Sequence, residues 1–83
     1  MIEYRQVMKF EKKKIEKFLK DFNINYERDV EYTIAAFDGE KIIGTGSAAG
    51  RVLKCFAIDE AYQGMGITNA IITRLIDYQY ERG

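Results

Sequence analysis

The segment that most limits the fold of this 83-residue chain is Val52–Ile58, which is apolar at six of its seven positions. A short apolar run of this kind is typical of a central β-strand that is covered on both faces. Residues 59–65 form a connection, and a helix is predicted from Gly66 or Ile67 to about Arg82. The apolar residues of that helix fall on one stripe and are Ile67, Ile71, Leu75 and Tyr78. The sequence therefore predicts a buried strand, a glycine-containing loop and an amphipathic helix in succession.

Upstream of this unit, one helix and two further strands are predicted. Residues 11–22 show the helical spacing of apolar side chains, with lysines on the opposite side. Residues 31–37 and 41–46 flank Asp38-Gly39 and predict a β-hairpin. Residues 47–50 are small and predict a turn before the apolar strand. The order helix, strand, strand, strand, helix predicts an α+β fold, with a mixed or antiparallel sheet of about three strands packed on two helices.

The length of the chain and its last helix bear on domain organisation. Eighty-three residues are enough for one small domain, and residues 1–83 are expected to form a single domain. Because the last helix reaches the end of the sequence with no following strand to cover it, we expect an N-terminal fragment of a longer chain. The sequence contains neither a long apolar stretch nor a signal peptide, so a cytoplasmic location and no membrane partner are expected.

The residue types that the chain lacks exclude several kinds of chemistry. The chain has no histidine and a single cysteine, Cys55, which excludes Ser-His and Cys-His dyads, CxxC sites and histidine-ligated metals. We therefore expect no metal site. The 13 basic and 13 acidic side chains give a net charge of zero, which argues against nucleic acid as a partner.

The loop before the last helix contains Gly64 and Gly66, and it has two interpretations. Glycines at a helix start allow backbone amides to point outward, and with the positive end of the helix dipole they can hold a diphosphate. Alternatively, the glycines only permit a tight turn from strand to helix. The spacing of the two glycines alone does not decide between these interpretations.

The wider sequence Gln63-Gly64-Met65-Gly66-Ile67-Thr68 resembles the Q/R-x-x-G-x-G/A acyl-CoA signature of the GNAT acetyltransferase superfamily. Thr68 departs from the signature, because the family has glycine or alanine at that position. The resemblance implies a partial GNAT fold that binds acetyl-CoA or another acyl-CoA. It implies that three strand residues line the pantetheine arm, namely Phe56, Ala57 and Ile58. It also implies that six loop residues hold the diphosphate, namely Gln63, Gly64, Met65, Gly66, Ile67 and Thr68.

A narrower resemblance covers residues 32–82 and is to the GNAT-like N-terminal domain of the citrate lyase ligase family. It rests on two stretches, Thr45-Gly46-Ser47-Ala48-Ala49-Gly50-Arg51-Val52-Leu53-Lys54-Cys55-Phe56-Ala57-Ile58 and Leu75-Ile76-Asp77-Tyr78-Gln79-Tyr80-Glu81-Arg82. Enzymes of this family use ATP and acetate to acetylate the prosthetic-group thiol of the citrate lyase acyl carrier subunit. The resemblance therefore implies an acyltransferase parent protein, with acyl-CoA and that carrier subunit as partners.

The same resemblance limits what this chain can do alone. The adenylating domain of the family lies C-terminal to the GNAT-like part and uses an HxGH motif. Because this chain has no histidine, ATP is expected only in the full-length ligase. Many GNAT enzymes take their general acid from a tyrosine in a later segment, so the catalytic residue is unknown and the isolated chain is expected to be inactive. The alternative is a non-catalytic GNAT-like module for ligand sensing, carrier docking or domain assembly.

Four other features admit a functional interpretation. Residues 44–49 match the G-x-G-x-x-A dinucleotide fingerprint, but such a loop must open a helix, whereas a strand is predicted here. Cys55 is expected in the core rather than as a nucleophile, and Glu60 as a solvated loop acid rather than a general base. Lys54 either reaches solvent past apolar neighbours or pairs with a bound anion.

The open side of the apolar strand predicts self-association. If no further strand pairs with it, one side carries unpaired N–H and C=O groups, which invite pairing with another chain. We therefore expect a homodimer, formed either by edge pairing of Val52–Ile58 or by packing of the last helix across a twofold axis.

Overall fold

Four strands form one antiparallel sheet in the computed structural model, which describes residues 1–82. In spatial order across the sheet they are β1 (Ile2–Gln6), β2 (Tyr32–Asp38), β3 (Lys41–Ala49) and β4 (Val52–Ile58). The helices are α1 (Lys12–Lys20) and α2 (Ile67–Arg82). Short 3₁₀ turns at Lys9–Glu11 and Glu60–Tyr62 precede α1 and α2, respectively. Neither helix within residues 1–82 is long and apolar enough to cross a membrane.

The two helices cover opposite faces of the sheet. On one face, fully buried residues of α1 pack against β2 and β4, and this core contains Ile15, Leu19, Ala35, Phe37, Cys55 and Ala57. On the other face, α2 packs against β2 and β3, and this core contains Ile34, Ala36, Ile43, Ala48, Ile67, Ile71 and Leu75. Successive strand residues point to opposite faces, so consecutive apolar residues of β2 serve both cores. The predicted α+β fold with helices packed on a sheet is confirmed.

The sheet has one strand more than the sequence predicts. β1 pairs antiparallel with β2, with Ile2 opposite Asp38 and Gln6 opposite Ile34. Only five residues long, β1 has a weak pattern in which Ile2 and Tyr4 are half-buried and the acidic side chain between them is exposed. So short a run does not give a clear period-two signal, which is why the prediction of about three strands was too low.

β3 continues to Ala49, so the prediction of a turn at residues 47–50 was wrong over its first three residues. Two glycines of β3 leave room for side chains of α2 and of the neighbouring strand β4. A Cβ atom at Gly46 would lie 2.6 Å from Ile71 Cγ2, and one at Gly44 would lie 3.2 Å from Ile67 Cγ2. The two glycines of the apparent dinucleotide fingerprint therefore serve helix–sheet packing inside a strand, in agreement with the rejection of that motif.

β4 has the predicted bounds, but within residues 1–82 it is an edge strand that pairs only with β3. Both of its faces nevertheless carry apolar side chains, because α1 and α2 lie on opposite sides of the sheet. Cys55 and Ala57 belong to the α1 core, whereas Phe56 and Ile58 pack against the α2 core. An apolar run thus indicates coverage of both faces, and it does not distinguish a central strand from an edge strand.

An ion pair between the half-buried Arg5 and the buried Glu11 fixes the turn that leads into α1. Glu11 is 6% exposed, and its carboxylate accepts hydrogen bonds from Arg5 Nη1 and Nη2 at 2.8 and 2.7 Å. It also accepts one from the backbone N–H of Met8 at 2.9 Å. The Arg5 guanidinium lies 4.2 Å from the centre of the Phe37 ring. These donors, Arg5 foremost, lower the pKa of Glu11 from an ordinary 4.5 to about 2.

Glu11→Gln is expected to destabilise the fold by about 1–3 kcal/mol at neutral pH, because Arg5 loses its charged partner. Since the folded-state pKa of Glu11 is lowered, its contribution is present above about pH 4.5 and is lost as the pH falls toward 2. Denaturant unfolding should therefore show a difference between variant and wild type that shrinks on acidification. Glu16→Gln, at an exposed position of α1, is the control and should change stability by less than about 0.5 kcal/mol. Equal destabilisation by both variants would contradict this role of Glu11.

Candidate functional site

A β-bulge interrupts the pairing of β4 with β3. Thr45 pairs with Ala57 and Ser47 pairs with Lys54, so two residues of β4 lie opposite the single residue between Thr45 and Ser47. The first of the two, Cys55, has φ of 59°, which is a left-handed conformation that side chains other than glycine rarely adopt. Its carbonyl accepts a hydrogen bond from Thr45 Oγ1 at 3.0 Å. The bulge bends β4 midway along its open edge.

The connection after β4 is tied back to the sheet at several points. Asp59 N donates to Ile43 O at 2.8 Å, and Asp59 Oδ1 accepts from Ala61 N at 2.9 Å, which starts the 3₁₀ turn. The Tyr62 hydroxyl donates to Asp38 Oδ2 at 2.5 Å, and the nearby carboxylate raises the pKa of Tyr62. The start of the glycine loop is therefore fixed to the end of β2.

The two glycines give the loop its shape. Gly64 has φ of 83° and Gly66 has φ of 76°, both in the region that glycine adopts without strain. The first helical hydrogen bond of α2 runs from Ala70 N to Gly66 O at 3.1 Å. Within residues 1–82, the amides of residues 64–69 have no acceptor among the hydrogen bonds of the protein. The loop and the first turn of α2 thus present a run of free N–H donors.

A pocket of about 420 Å³ lies between this loop and the end of β4. It is lined by Phe56, Ala57, Ile58, Tyr62, Gln63, Gly64, Gly66, Ile67, Thr68 and Asn69. Eight of the nine residues that the sequence nominated for cofactor binding are in that lining. The ninth, Met65, is not, and its side chain is 58% exposed.

Two lining residues were not nominated from the sequence. Tyr62 stands directly before the motif, and Asn69 is the last residue of α2 whose amide precedes the first helical hydrogen bond. The rule that a helix start leaves its first amides free could have identified Asn69. The Gln63 side chain has a structural contact as well, because Nε2 donates to Ile58 O at 3.4 Å and ties the loop to the end of β4.

The chemistry of the pocket changes from one end to the other. Phe56, Ala57 and Ile58 of β4 supply an apolar wall next to the unpaired backbone of the open edge. The loop supplies free amides together with the side chains of Thr68 and Asn69. Such an arrangement suits an elongated ligand that has an uncharged chain at one end and phosphate oxygens at the other.

Three further residues were considered from the sequence, namely Lys54, Cys55 and Glu60, and the structure shows the surroundings of each. Lys54 Nζ lies 3.0 Å from Asp29 Oδ2 and 3.1 Å from Glu27 Oε1, and these carboxylates raise the pKa of Lys54. The negative charges that pair with Lys54 are therefore two carboxylates of this chain rather than a bound anion. Burial raises the pKa of the Cys55 thiol, which donates to Asn25 O at 3.5 Å, in agreement with a core position. Glu60 is exposed, as expected of a solvated loop acid.

Comparison with known proteins relates this geometry to a family. The chain matches the acetyltransferase (GNAT) family over residues 1–83. It is 39% identical over 69 residues to the [citrate [pro-3S]-lyase] ligase of Klebsiella pneumoniae, covering 83% of this chain and 20% of that protein. It is 35% identical over 82 residues to the ligase of the same name from Escherichia coli (strain K12), covering 95% of this chain and 23% of that protein.

These matches define both the family and the extent of the similarity. The chain spans about a fifth of the length of the curated relatives that it matches. No solved structure matches it at a significant level. The family match covers the whole chain, and it includes both the strand and the loop that line the pocket. The chain therefore belongs to the GNAT acetyltransferase family.

Proposed function

We propose that this chain is an acyl-CoA-binding GNAT domain that serves a protein of the citrate lyase ligase type. The observation that carries the proposal is the pocket beside Gly64 and Gly66, where free amides meet an apolar strand edge. Family membership supports the ligand class, because GNAT proteins use acyl-CoA. The similarity to citrate lyase ligases supports the parent protein.

The pocket residues fit the parts of an acyl-CoA. The free amides of residues 64–69, with the side chain of Thr68, would hold the diphosphate at the positive end of the α2 dipole. Phe56, Ala57 and Ile58 would line the pantetheine arm beside the open edge of β4. Bound there, an acyl-CoA would supply an acyl group activated as a thioester. Thr68, which departs from the family signature, is exposed and has room for its hydroxyl to donate to a phosphate oxygen.

In the whole protein, we propose that the acceptor is the prosthetic-group thiol of the citrate lyase acyl carrier subunit. The proposal rests on the similarity to the ligases, of which this chain covers about a fifth. ATP would be used by a different part of the full-length protein. From the similarity to these ligases we also propose a cytoplasmic location.

A second function, a GNAT-like module without catalysis, is favoured by the state of two side chains, Tyr62 in the pocket and Cys55 in the core. The Tyr62 hydroxyl already donates to Asp38 Oδ2 at 2.5 Å, and this hydrogen bond raises the pKa of Tyr62, so the hydroxyl stays protonated and its proton is already engaged. The Cys55 thiol is buried, with its pKa raised as well. Such a module would serve ligand sensing, carrier docking or domain assembly.

Titration of the chain with acetyl-CoA, followed by an assay of acetyl transfer to small amines, separates these functions. Binding at the glycine loop would support the acyl-CoA domain, whereas a folded chain that does not bind would support the second function. In either case we expect negligible acetyl transfer, because the pocket offers no free acid or base. Turnover of about 1 s⁻¹, an ordinary enzyme rate, would show that a catalytic group has been overlooked.

We further propose a homodimer, on the ground that the outer edge of β4 is unpaired within residues 1–82. Val52 on that strand is 57% exposed, and its burial by a partner would add apolar contact. Such pairing would occupy the edge that the pantetheine arm requires. Acetyl-CoA affinity should therefore weaken as protein concentration rises. Sedimentation at micromolar concentration measures the association, and a monomer of 9.6 kDa would contradict it.

A further inference from the structure

The outward side of α1 carries a stripe of three lysines. Lys13, Lys17 and Lys20 follow the i, i+4, i+7 spacing and lie opposite Ile15 and Leu19, which are fully buried against the sheet. All three lysines are exposed. Within residues 1–82 none of them forms a salt bridge, in contrast to Lys41 of β3 and Lys54 of β4. We refer to Lys13, Lys17 and Lys20 as the lysine stripe.

An exposed aromatic side chain lies one turn before the stripe. Phe10 is 82% exposed, and Met8 beside it is 51% exposed. Phe10 belongs to the 3₁₀ turn that the buried Glu11 fixes through Arg5 and the Met8 amide, so its outward position is set by the fold. An apolar anchor next to a charged rim is the usual composition of a protein-binding surface.

The C-terminal end of the stripe reaches the bulged part of β4. Lys20 lines a small cavity together with Glu16, Ile24, Asn25 and Tyr26. The carbonyl of Asn25 accepts the hydrogen bond from Cys55 Sγ. Cys55 is the residue with positive φ in the bulge. The C-terminal end of the stripe, Lys20, is therefore linked through Asn25 to the α1 side of the strand that we assign to the pantetheine arm.

We propose that the lysine stripe and Phe10 form a docking surface for an acidic protein surface. The proposal rests on the proposed function, in which the partner is the acyl carrier subunit that must bring its thiol to β4. A membrane is disfavoured because the apolar side of α1, Ile15 and Leu19, is already buried in the core. Nucleic acid is disfavoured because the net charge of the chain is zero, whereas a local cluster of lysines is enough to recognise acidic residues on a protein.

The test measures the affinity of the purified acyl carrier subunit for the chain at low salt and at about 0.3 M salt. The combined variant Lys13→Gln, Lys17→Gln and Lys20→Gln should weaken binding roughly tenfold or more at low salt, and Phe10→Ser should weaken it at both salt concentrations. The matched control removes three exposed positive charges elsewhere, by Arg28→Gln, Arg51→Gln and Arg82→Gln. The control should retain most of the wild-type affinity.

Acetyl-CoA titration of the same proteins keeps this proposal separate from the proposed function. The lysine-stripe variant should bind acetyl-CoA like the wild type, because the pocket lies at the loop before α2. Carrier binding that is equal in wild type, stripe variant and control would overturn the docking surface, as would binding to anionic vesicles or RNA in place of the carrier. Failure of the wild type to bind acetyl-CoA would count against the proposed function and leave the carrier measurement interpretable.

Discussion

Gly66→Val is expected to weaken acetyl-CoA binding by roughly 5- to 150-fold while the chain stays folded. Gly66 has φ of 76°, and a β-branched residue held there costs of order 1–3 kcal/mol. A Cβ atom at Gly66 would meet nothing within 4 Å, so the substitution strains the backbone without a packing clash. The loop is expected to relieve the strain by turning its amides away from the pocket. Binding would require the loop to turn its amides back and take up the strain again. The binding free energy should therefore weaken by about the same amount, which is roughly a 5- to 150-fold lower affinity for acetyl-CoA and is measurable by calorimetric titration.

Gly50→Val is the matched control for this experiment. Gly50 also has a positive φ, 60°, and open space around its Cβ position, but it lies at the turn before β4, at the other end of the strand from the loop. It should therefore show a similar loss of stability with little change in acetyl-CoA affinity. Unchanged affinity in Gly66→Val, or an equal loss in Gly50→Val, would remove the proposed diphosphate site.

Gly46→Val is expected to have the largest effect on stability. The added Cβ atom would lie 2.6 Å from both Ile71 Cγ2 and Phe56 Cε1, so α2 must move away from β3 or both side chains must shift. Overpacking of this kind costs typically ~1–3 kcal/mol or more, a large part of the stability of a domain of this size. Thermal unfolding should show a fall in Tm of roughly 4–8 °C for each kcal/mol lost.

A second substitution tests whether the cause is helix packing. In the milder Gly46→Ala background, Ile71→Ala removes the methyl group that the new Cβ meets. The two substitutions together should therefore destabilise less than the sum of their separate effects. Strict additivity would contradict the view that Gly46 is small because α2 crosses β3 at that point.

Local patterns in the sequence predict much of the fold. The apolar run gives β4 with correct bounds, and the spacing of apolar residues gives α2, because both elements have one strong period. β1 was missed because a strand of five residues contains too few alternations of apolar and polar side chains to give a clear signal. The end of β3 was missed because small residues favour turns locally, although pairing with β2 on one side and β4 on the other holds residues 47–49 in a strand.

Some features of the candidate site could likewise be predicted from the sequence, and others could not. Gly64 and Gly66 were identifiable because glycine adopts positive φ without strain. The bulge at Cys55 was not, since a cysteine carries no local signal for a left-handed conformation. The partners of Lys54, Glu27 and Asp29, lie 27 and 25 residues away in sequence and meet it only through the fold. Spacing along the chain does not reveal such contacts.

The central claim, that the glycine loop and β4 form an acyl-CoA site, is tested most directly by following backbone amide NMR signals during an acetyl-CoA titration. The predicted result is a saturable shift of the amides at the loop and the start of α2, namely Gly64, Gly66, Ile67, Thr68 and Asn69, with smaller shifts at Phe56, Ala57 and Ile58. A well-folded chain whose loop amides do not shift at saturating acetyl-CoA would contradict the claim. Shifts confined to the opposite end of α2, around Gln79 and Tyr80, would contradict it equally.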